Sequence, residues 1–569
     1  MSADRNTPDH ERIRRPRRQC WGEFACLLLL IFAYAGDLPP MVNEAHYLVK
    51  AKNFWDPDWC GRDLFASSGK AHTTYYLMFG WLTKFFSLTT TAWIARFVGW
   101  SMIAVGLQRV CHTLIRMPFA ACGVLVIWAA GIEYGNLAGE WVFGGTEAKI
   151  PAYGLAMLGL AAMLRGRWSS AWIWFGAAAA FHILVGGWCV VAGMFAWLMT
   201  EAFSKHERSA WRRFLSPGLF IGGGLSLFGL IPAIALTMGV SADQAITSAR
   251  TYVFFRIAHH LLPSTFPAVW FVRHFVLIVA ATVTAWMLRL AATIDADGTN
   301  DADGTMGDRS AWQRLVLFVG GTVLIAGVGL VIGFAPGLDS DWVARLLRYY
   351  WFRLTDVMVP LLLALASVRL IAAWIDGRGD ASTVRRPGTL IGVVVFGVTL
   401  MMFVSSTIER TRLGVPPSAS NRLLGYDKDV PIAVQRAVYQ DWLKVCDFIR
   451  NSTPTSEVFL TPRHQQTFKW YAQRAEVVNF KDVPQDAASL VQWSRRFGDV
   501  FPRRLGMMRV TIQYAKLREY RRDYGVRYLL ADRRICGQNL PLVRLYPTAP
   551  EENSTYAVYE LPPPLDGNE

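Results

Sequence analysis

A succession of near-uncharged apolar runs, each about twenty residues long, constrains this chain more than any other feature, because that is the length a helix needs to cross a hydrocarbon core. The runs fall at about 21–38, 90–113, 118–135, 150–165, 214–238, 265–289, 315–335, 351–375 and 388–407. Residues 169–200 are long enough for two short spans pivoting near His182 to Gly187. The pattern predicts about eleven membrane helices. Composition agrees, with 53% hydrophobic and 18% charged residues among 569.

The net charge of +15 is read through the positive-inside rule and not as a nucleic-acid footprint. Arg12, Arg14, Arg15, Arg17 and Arg18 precede the first run. Further basic groups follow alternate runs: Arg109, His112 and Arg116; Arg165 and Arg167; Lys205, Arg208, Arg212 and Arg213; Arg378, Arg385 and Arg386. They predict a cytoplasmic N-terminus. Loops 37–88, 136–149, 239–263 and 336–350, with everything after Ser406, are then extracytoplasmic. No small-residue cleavage site follows the first run, so it is expected to stay as a span. The protein is expected in the plasma (inner) membrane.

The chain divides into a basic N-terminus (1–20), a transmembrane domain (21–408) with a long outer loop (37–88), and a tail (409–569). The tail is charged and alternates helical and strand patterns: a helix over 434–450, then short strands at EVFLTP, EVVNF, VRYLLA, LVRLYP and TYAVYEL with helices between. It reads as a small α/β domain. The fold class is thus an all-α polytopic membrane domain followed by a small α/β extracytoplasmic domain. The Asp/Gly-rich stretch 291–313 lacks the closing Glu of a calcium loop and reads as a solvated linker. The eight cysteines show no metal-ligand spacing; a disulfide between Cys446 and Cys536 is open to the tail, but nothing in the sequence requires it.

The outer loop 37–88 is rich in acids, aromatics and histidine. Glu44 opens a partly apolar helical stretch, beside Asn43 and His46. A carboxylate there can serve as a general base on a hydroxyl, or as a helix N-terminal charge favoured by the dipole. His72, Tyr75 and Tyr76 can stack on a sugar ring or anchor at the interface. In the next outer loop Glu140, Glu147 and Lys149 gather at the mouth of a span, as a second acid site or as a closing ion pair. His182 sits at apparent membrane depth, where polar groups are costly and often functional. Arg345, Arg348 and Arg353 precede a span on the outer side, against the positive-inside trend. Arginine's planar fork suits phosphate oxygens, while headgroup snorkelling is the plainer reading.

The stretch E-A-x-Y-L-x-x-A-x-x-F-x-x-P-D-W after the first span, with Arg96 in the next span, resembles the GT-C-fold glycosyltransferases that use polyprenyl-phosphate sugars. In that group the first outer loop often carries a D-E-x-x-Y-like motif whose acid is a catalytic base or metal ligand. Here the matching residues are Asn43, Glu44 and Tyr47. Asn43 replaces the first acid, which weakens a metal-dependent reading and leaves Glu44 as the single candidate; a divalent metal stays open as a cofactor that the motif does not support. The resemblance implies a hexosyl- or pentosyltransferase acting on the outer face, with membrane lipid and a lipid-linked sugar donor as partners and no nucleic acid. Glu44 would be the base. Asn43, Tyr47, His72, Tyr75, Tyr76, Glu147, Lys149, His182, Arg345, Arg348 and Arg353 would bind substrate. The sugar, the acceptor and the lipid stay open. The rival readings are a flippase of lipid-linked sugars, which expects deep charges and an internal repeat, and a non-catalytic membrane protein with an interaction tail.

Overall fold

The computed structural model describes residues 16–41, 43–202, 214–296, 302–335, 339–375, 385–413, 430–501 and 513–563. Within them the architecture is a polytopic helical domain followed by a small α/β domain, as the sequence predicts. Among the described residues eight helices are long and apolar enough to cross a membrane: Arg17–Ala35, Leu88–Leu114, Ile183–Ala202, Pro217–Ala235, Ala268–Leu290, Arg309–Phe334, Arg353–Ile375 and Leu390–Arg412. Ala120–Gly135, Lys149–Leu164 and Trp168–Phe181 are shorter apolar helices at the remaining predicted spans. The break inside 169–200 falls at His182, whose extended backbone ends one helix and starts the next. The 291–313 stretch differs from expectation, because helix Ala302–Phe334 begins well before residue 315. Of the basic clusters, Lys205, Arg208, Arg212, Arg213 and Arg378 lie outside the described residues, as do Arg12, Arg14 and Arg15.

The bundle core is aromatic and closely packed. Trp100, Trp128, Trp172 and Trp197 are each at most 2% exposed, and the Trp128 indole donates to the Val357 carbonyl at 2.8 Å. Large apolar side chains of helix Pro217–Ala235, such as Phe220, Phe228 and Ile231, face outward. Such a surface is stable only against lipid or another protein.

The loop 37–88 is not extended. It folds into helices Glu44–Trp55, Leu64–Ser67 and Thr73–Phe79. The apolar faces of the first and third form one cluster with the start of helix Leu88–Leu114 and with Trp470 of the tail, while Phe65 and Ala66 of the second pack with Val49 and Cys60. Tyr75 and Tyr76 lie inside this cluster, essentially unexposed.

The tail holds a five-stranded sheet in the order β2-β1-β3-β5-β4: β1 Val458–Leu460, β2 Ala475–Glu476, β3 Tyr528–Asp532, β4 Val543–Tyr546, β5 Tyr556–Glu560. β1 runs parallel to β2 and β3, and β5 is antiparallel to β3 and β4. Helix Ile432–Ser452 covers it with Trp442, Val445, Cys446 and Ile449, a one-sided stripe at helical spacing. Cys446 and Cys536 are both free, the first buried and the second exposed, so the disulfide considered from sequence is not formed.

The tail is clamped to loop 37–88. Lys469 reaches Glu476 at 2.5 Å, Asp482 at 2.8 Å and Asp63 of the loop at 3.3 Å, with all four side chains at most 2% exposed. Asp63 also accepts the Glu476 amide at 3.0 Å. Asp486 accepts the Gly69 amide at 2.8 Å, and the Ala487 amide donates to the Leu236 carbonyl at 3.0 Å.

Candidate functional site

Alternate loops of an antiparallel bundle share one end, and here they converge on a cavity of about 140 Å³. The first loop supplies Asn43, His46 and Tyr47; the second Glu140, Trp141, Glu147 and Lys149; the third Tyr252, Arg256, His259 and His260. Tyr350 and Arg353 enter from the start of helix Arg353–Ile375, and the tail adds Lys481, Val483 and Gln485.

The second loop is shaped by carboxylates at both ends. Asp356, unexposed, accepts the Leu137 amide at 2.7 Å and the Ala138 amide at 3.0 Å. At the other end Glu44 accepts the Thr146 amide at 2.8 Å. Between them Gly145 packs so closely that a Cβ there would lie 2.6 Å from the Glu44 carboxyl carbon.

Glu44, expected as the catalytic base, has a different setting. Its carboxylate takes Arg96 Nε at 2.6 Å, Arg96 Nη2 at 2.5 Å, the Met41 amide at 2.7 Å and the Thr146 amide at 2.8 Å. A carboxylate has about four lone-pair positions. All are taken, and the group is unexposed and outside the cavity lining. It has no position left for a substrate proton in this arrangement.

The carboxylates that do line the cavity are Glu140 and Glu147. Glu140 is shared, at 2.8 Å from Lys149 and 2.8 Å from Arg353. Glu147 is 3% exposed and lies 3.6 Å from Lys149 through Oε2. Its Oε1 is buried with no hydrogen-bond partner. Burial pushes its pKa up against the opposing pull of Lys149 and the nearby Asn43.

Arg353 joins this group to a row of rings. Its Nη1 lies 2.9 Å from His182 Nε2, and its guanidinium packs over Tyr350 at 4.1 Å. His182 stacks on His72 at 5.2 Å, and the Tyr47 hydroxyl reaches His72 at 3.4 Å. Burial pushes His72 down to about 3, so its ring is neutral at ordinary pH.

Of the residues predicted from sequence, the structure brings Asn43, Tyr47, Glu147, Lys149 and Arg353 to the cavity wall, with His72 and His182 directly behind them. Glu44 holds the loops from outside the cavity. Tyr75 and Tyr76 cannot stack on a sugar from where they lie: the Tyr75 hydroxyl is paired with Thr146 at 2.9 Å, and both rings are core. Arg345 is exposed on helix Ser340–Leu347 and Arg348 follows it; neither lines the cavity. Asp356, Arg256 and Lys481 stand in no local motif, so no sequence signal marks their place at this site. Among the described residues no group of three or more His, Cys, Asp or Glu is placed to hold a metal ion.

A family model described as a domain of unknown function, DUF6798, matches residues 440–500. That segment carries Lys469, Glu476 and Asp482 of the clamp and Lys481 of the cavity. No curated protein sequence matches the chain. Two solved structures resemble it in fold. One is the archaeal oligosaccharyltransferase AglB from Archaeoglobus fulgidus, in complex with an inhibitory peptide and a dolichol-phosphate: TM-score 0.43, 9% identity, covering 91% of this chain and 69% of that one. The other is ArnT from Cupriavidus metallidurans in the apo state: TM-score 0.42, 13% identity, covering 97% of this chain and 100% of that one. Both are weak likenesses of overall shape, and the function proposed below stands on the cavity.

Proposed function

We propose that this protein is an integral-membrane glycosyltransferase that moves a sugar from a lipid-phosphate donor to an acceptor hydroxyl in the cavity. The observation that carries the reading is Glu147, a buried carboxylate with one unpartnered oxygen in a cavity lined by arginine and lysine. The motif resemblance around Asn43, Glu44 and Tyr47 supports the same class.

In this reading Glu147 Oε1 takes the proton of the acceptor hydroxyl. The hydroxyl oxygen forms a bond to the anomeric carbon, and the bond from that carbon to the phosphate oxygen breaks. The lipid phosphate leaves with the electron pair. A base pKa raised toward the working pH suits this role. Arg353 and Lys149 stand near the developing charge, with Glu140 fixing their direction. Electrostatic groups held in place before reaction are worth most where water is excluded. Glu44 acts as a positioning residue: through Arg96 and the Thr146 amide it fixes the turn that carries Glu147. The lipid-linked donor, and the placement of this end of the bundle on the extracytoplasmic side, belong to the same proposal. The test is sugar transfer from a polyprenyl-phosphate sugar by the purified protein, with Glu147→Gln at matched expression as comparison.

A further inference from the structure

Helix Ser340–Leu347 is held at the level where spans end. Residues 335–339 join it to the end of span Arg309–Phe334, and residues 348–352 join it to the start of span Arg353–Ile375. Contacts fix the same placement. Ala344 and Leu347 are buried in one apolar cluster with Ala249, Val253 and Leu261, and Ile332 of the preceding span packs against that cluster. Just beyond the helix, the Tyr349 carbonyl accepts the indole N–H of Trp188, from the first turns of span Ile183–Ala202, at 2.9 Å. The Trp188 and Trp351 rings lie 4.8 Å apart. The helix has eight residues, a length of about 12 Å, so all of it stays close to these span ends.

The opposite face of the helix is aromatic and cationic. Trp342 is 59% exposed and Tyr349 is 48% exposed. Arg345, also exposed, stands between them at helical spacing, and Arg348 follows half-buried. The nearby carboxylates are engaged elsewhere. Asp339 caps the helix by accepting the Asp341 amide at 2.9 Å, and Asp341 pairs with Arg250 of the third loop at 2.5 Å. Neither Arg345 nor Arg348 has an ion-pair partner among the described residues. Trp and Tyr rings, apolar in body and polar at one edge, are stable at the headgroup level of a bilayer. Basic residues held at that level attract anionic headgroups, and arginine's planar fork matches phosphate oxygens.

We propose that the face bearing Trp342, Arg345, Arg348 and Tyr349 is a docking surface for anionic phospholipid of the surrounding bilayer. The two arginines hold the headgroup phosphate and the two rings seat the helix in the interface. The surface is separate from the cavity, which neither arginine lines. It goes beyond the proposed function and does not depend on sugar transfer.

The test titrates purified full-length protein in detergent with dioleoyl phosphatidylglycerol or dioleoyl phosphatidylcholine, counting bound lipids by native mass spectrometry. Wild type should bind phosphatidylglycerol more tightly. Arg345→Gln and Arg348→Gln should each weaken the tightest phosphatidylglycerol site about fivefold, the loss expected for one basic residue near an anionic surface. The double variant should lose more than either. Arg345→Lys/Arg348→Lys should keep most of the binding, because the charge is kept. Phosphatidylcholine affinity should change little in these variants, since its choline offsets the phosphate. Trp342→Ala should weaken both lipids alike, and Lys444→Ala on the tail surface should match wild type. Thermal midpoints of all variants are recorded alongside. Unchanged phosphatidylglycerol affinity in the folded Arg345→Gln/Arg348→Gln protein would overturn the proposal, as would equal binding of the two lipids by wild type.

Discussion

Glu44 and Arg96 form a two-pronged ion pair with both side chains unexposed, Nε to Oε1 at 2.6 Å and Nη2 to Oε2 at 2.5 Å. The pair ties the first loop helix to helix Leu88–Leu114 and, through the Thr146 amide, to the turn that carries Glu147. Removing one partner of a buried pair strands the other charge and costs about 3–5 kcal/mol. Arg96→Ala should therefore lower the thermal midpoint in nanodiscs sharply. Restoring the balance in Glu44→Gln/Arg96→Met should recover part of the loss. Equal midpoints for wild type and Arg96→Ala would show that the pair does not hold the loops.

Gly145 gives a second test of the same joint. Its missing side chain leaves room for Glu44, and a Cβ would meet the carboxyl carbon at 2.6 Å. Gly145→Ala should lower transfer activity through displacement of Glu147, with most of the fold retained. The expected signature is a fall in kcat larger than any rise in KM. Wild-type kinetics in this variant would mean that the turn tolerates the shift.

The clamp between loop and tail should respond to pH through Glu476. Burial, with Asp63 and Asp482 adding, pushes this carboxyl up to about 7 against the pull of Lys469. One lysine cannot answer three buried carboxylates. A folded-state pKa raised above the ordinary glutamate value of 4.5 means the stabilising effect is complete below 4.5 and lost as pH rises through about 7. Asp482 behaves oppositely: burial raises it, but Lys469 and His46 outweigh that and hold it low, so its contribution is lost only below 3.8. His46, lowered by burial, favours the folded state above 6.5. Glu476→Gln isolates the first effect. The variant should melt higher than wild type at pH 8, and the advantage should fade toward pH 4.5. An advantage independent of pH would contradict the assignment.

Orientation can be read from a single thiol. Cys536 is free and exposed on the tail, while Cys446 and Cys60 are buried. If the tail is extracytoplasmic, a membrane-impermeant maleimide added to sealed right-side-out vesicles should label the protein, and Cys536→Ser should abolish most of that labelling. Labelling confined to inside-out vesicles would invert the topology.

The spans were legible because each is a local property: length, apolarity and flanking charge. Even the break at His182 was visible as too much chain for one helix and too little for two long ones. The site was legible only in part. Arg353 stands close to Arg345 and Arg348 in sequence, and sequence alone cannot say which of three nearby arginines turns inward. Glu44 stood out because it opens a motif, yet its four hydrogen-bond donors come from residues 41, 96 and 146. No local pattern reports such saturation. Lys481 carries no motif, and its place in the cavity depends on a tail docked by Lys469 onto Asp63, more than four hundred residues away in the chain.

The most direct measurement is transfer of sugar from a polyprenyl-phosphate donor by wild type, Glu147→Gln and Glu44→Gln, each with its thermal midpoint recorded. Loss of a positioned general base typically costs about 10²–10⁴-fold in rate. Glu147→Gln should fall by that order while keeping its midpoint, and Glu44→Gln should lose stability along with activity. Wild-type turnover by a well-folded Glu147→Gln would contradict the assignment of this carboxylate as the base.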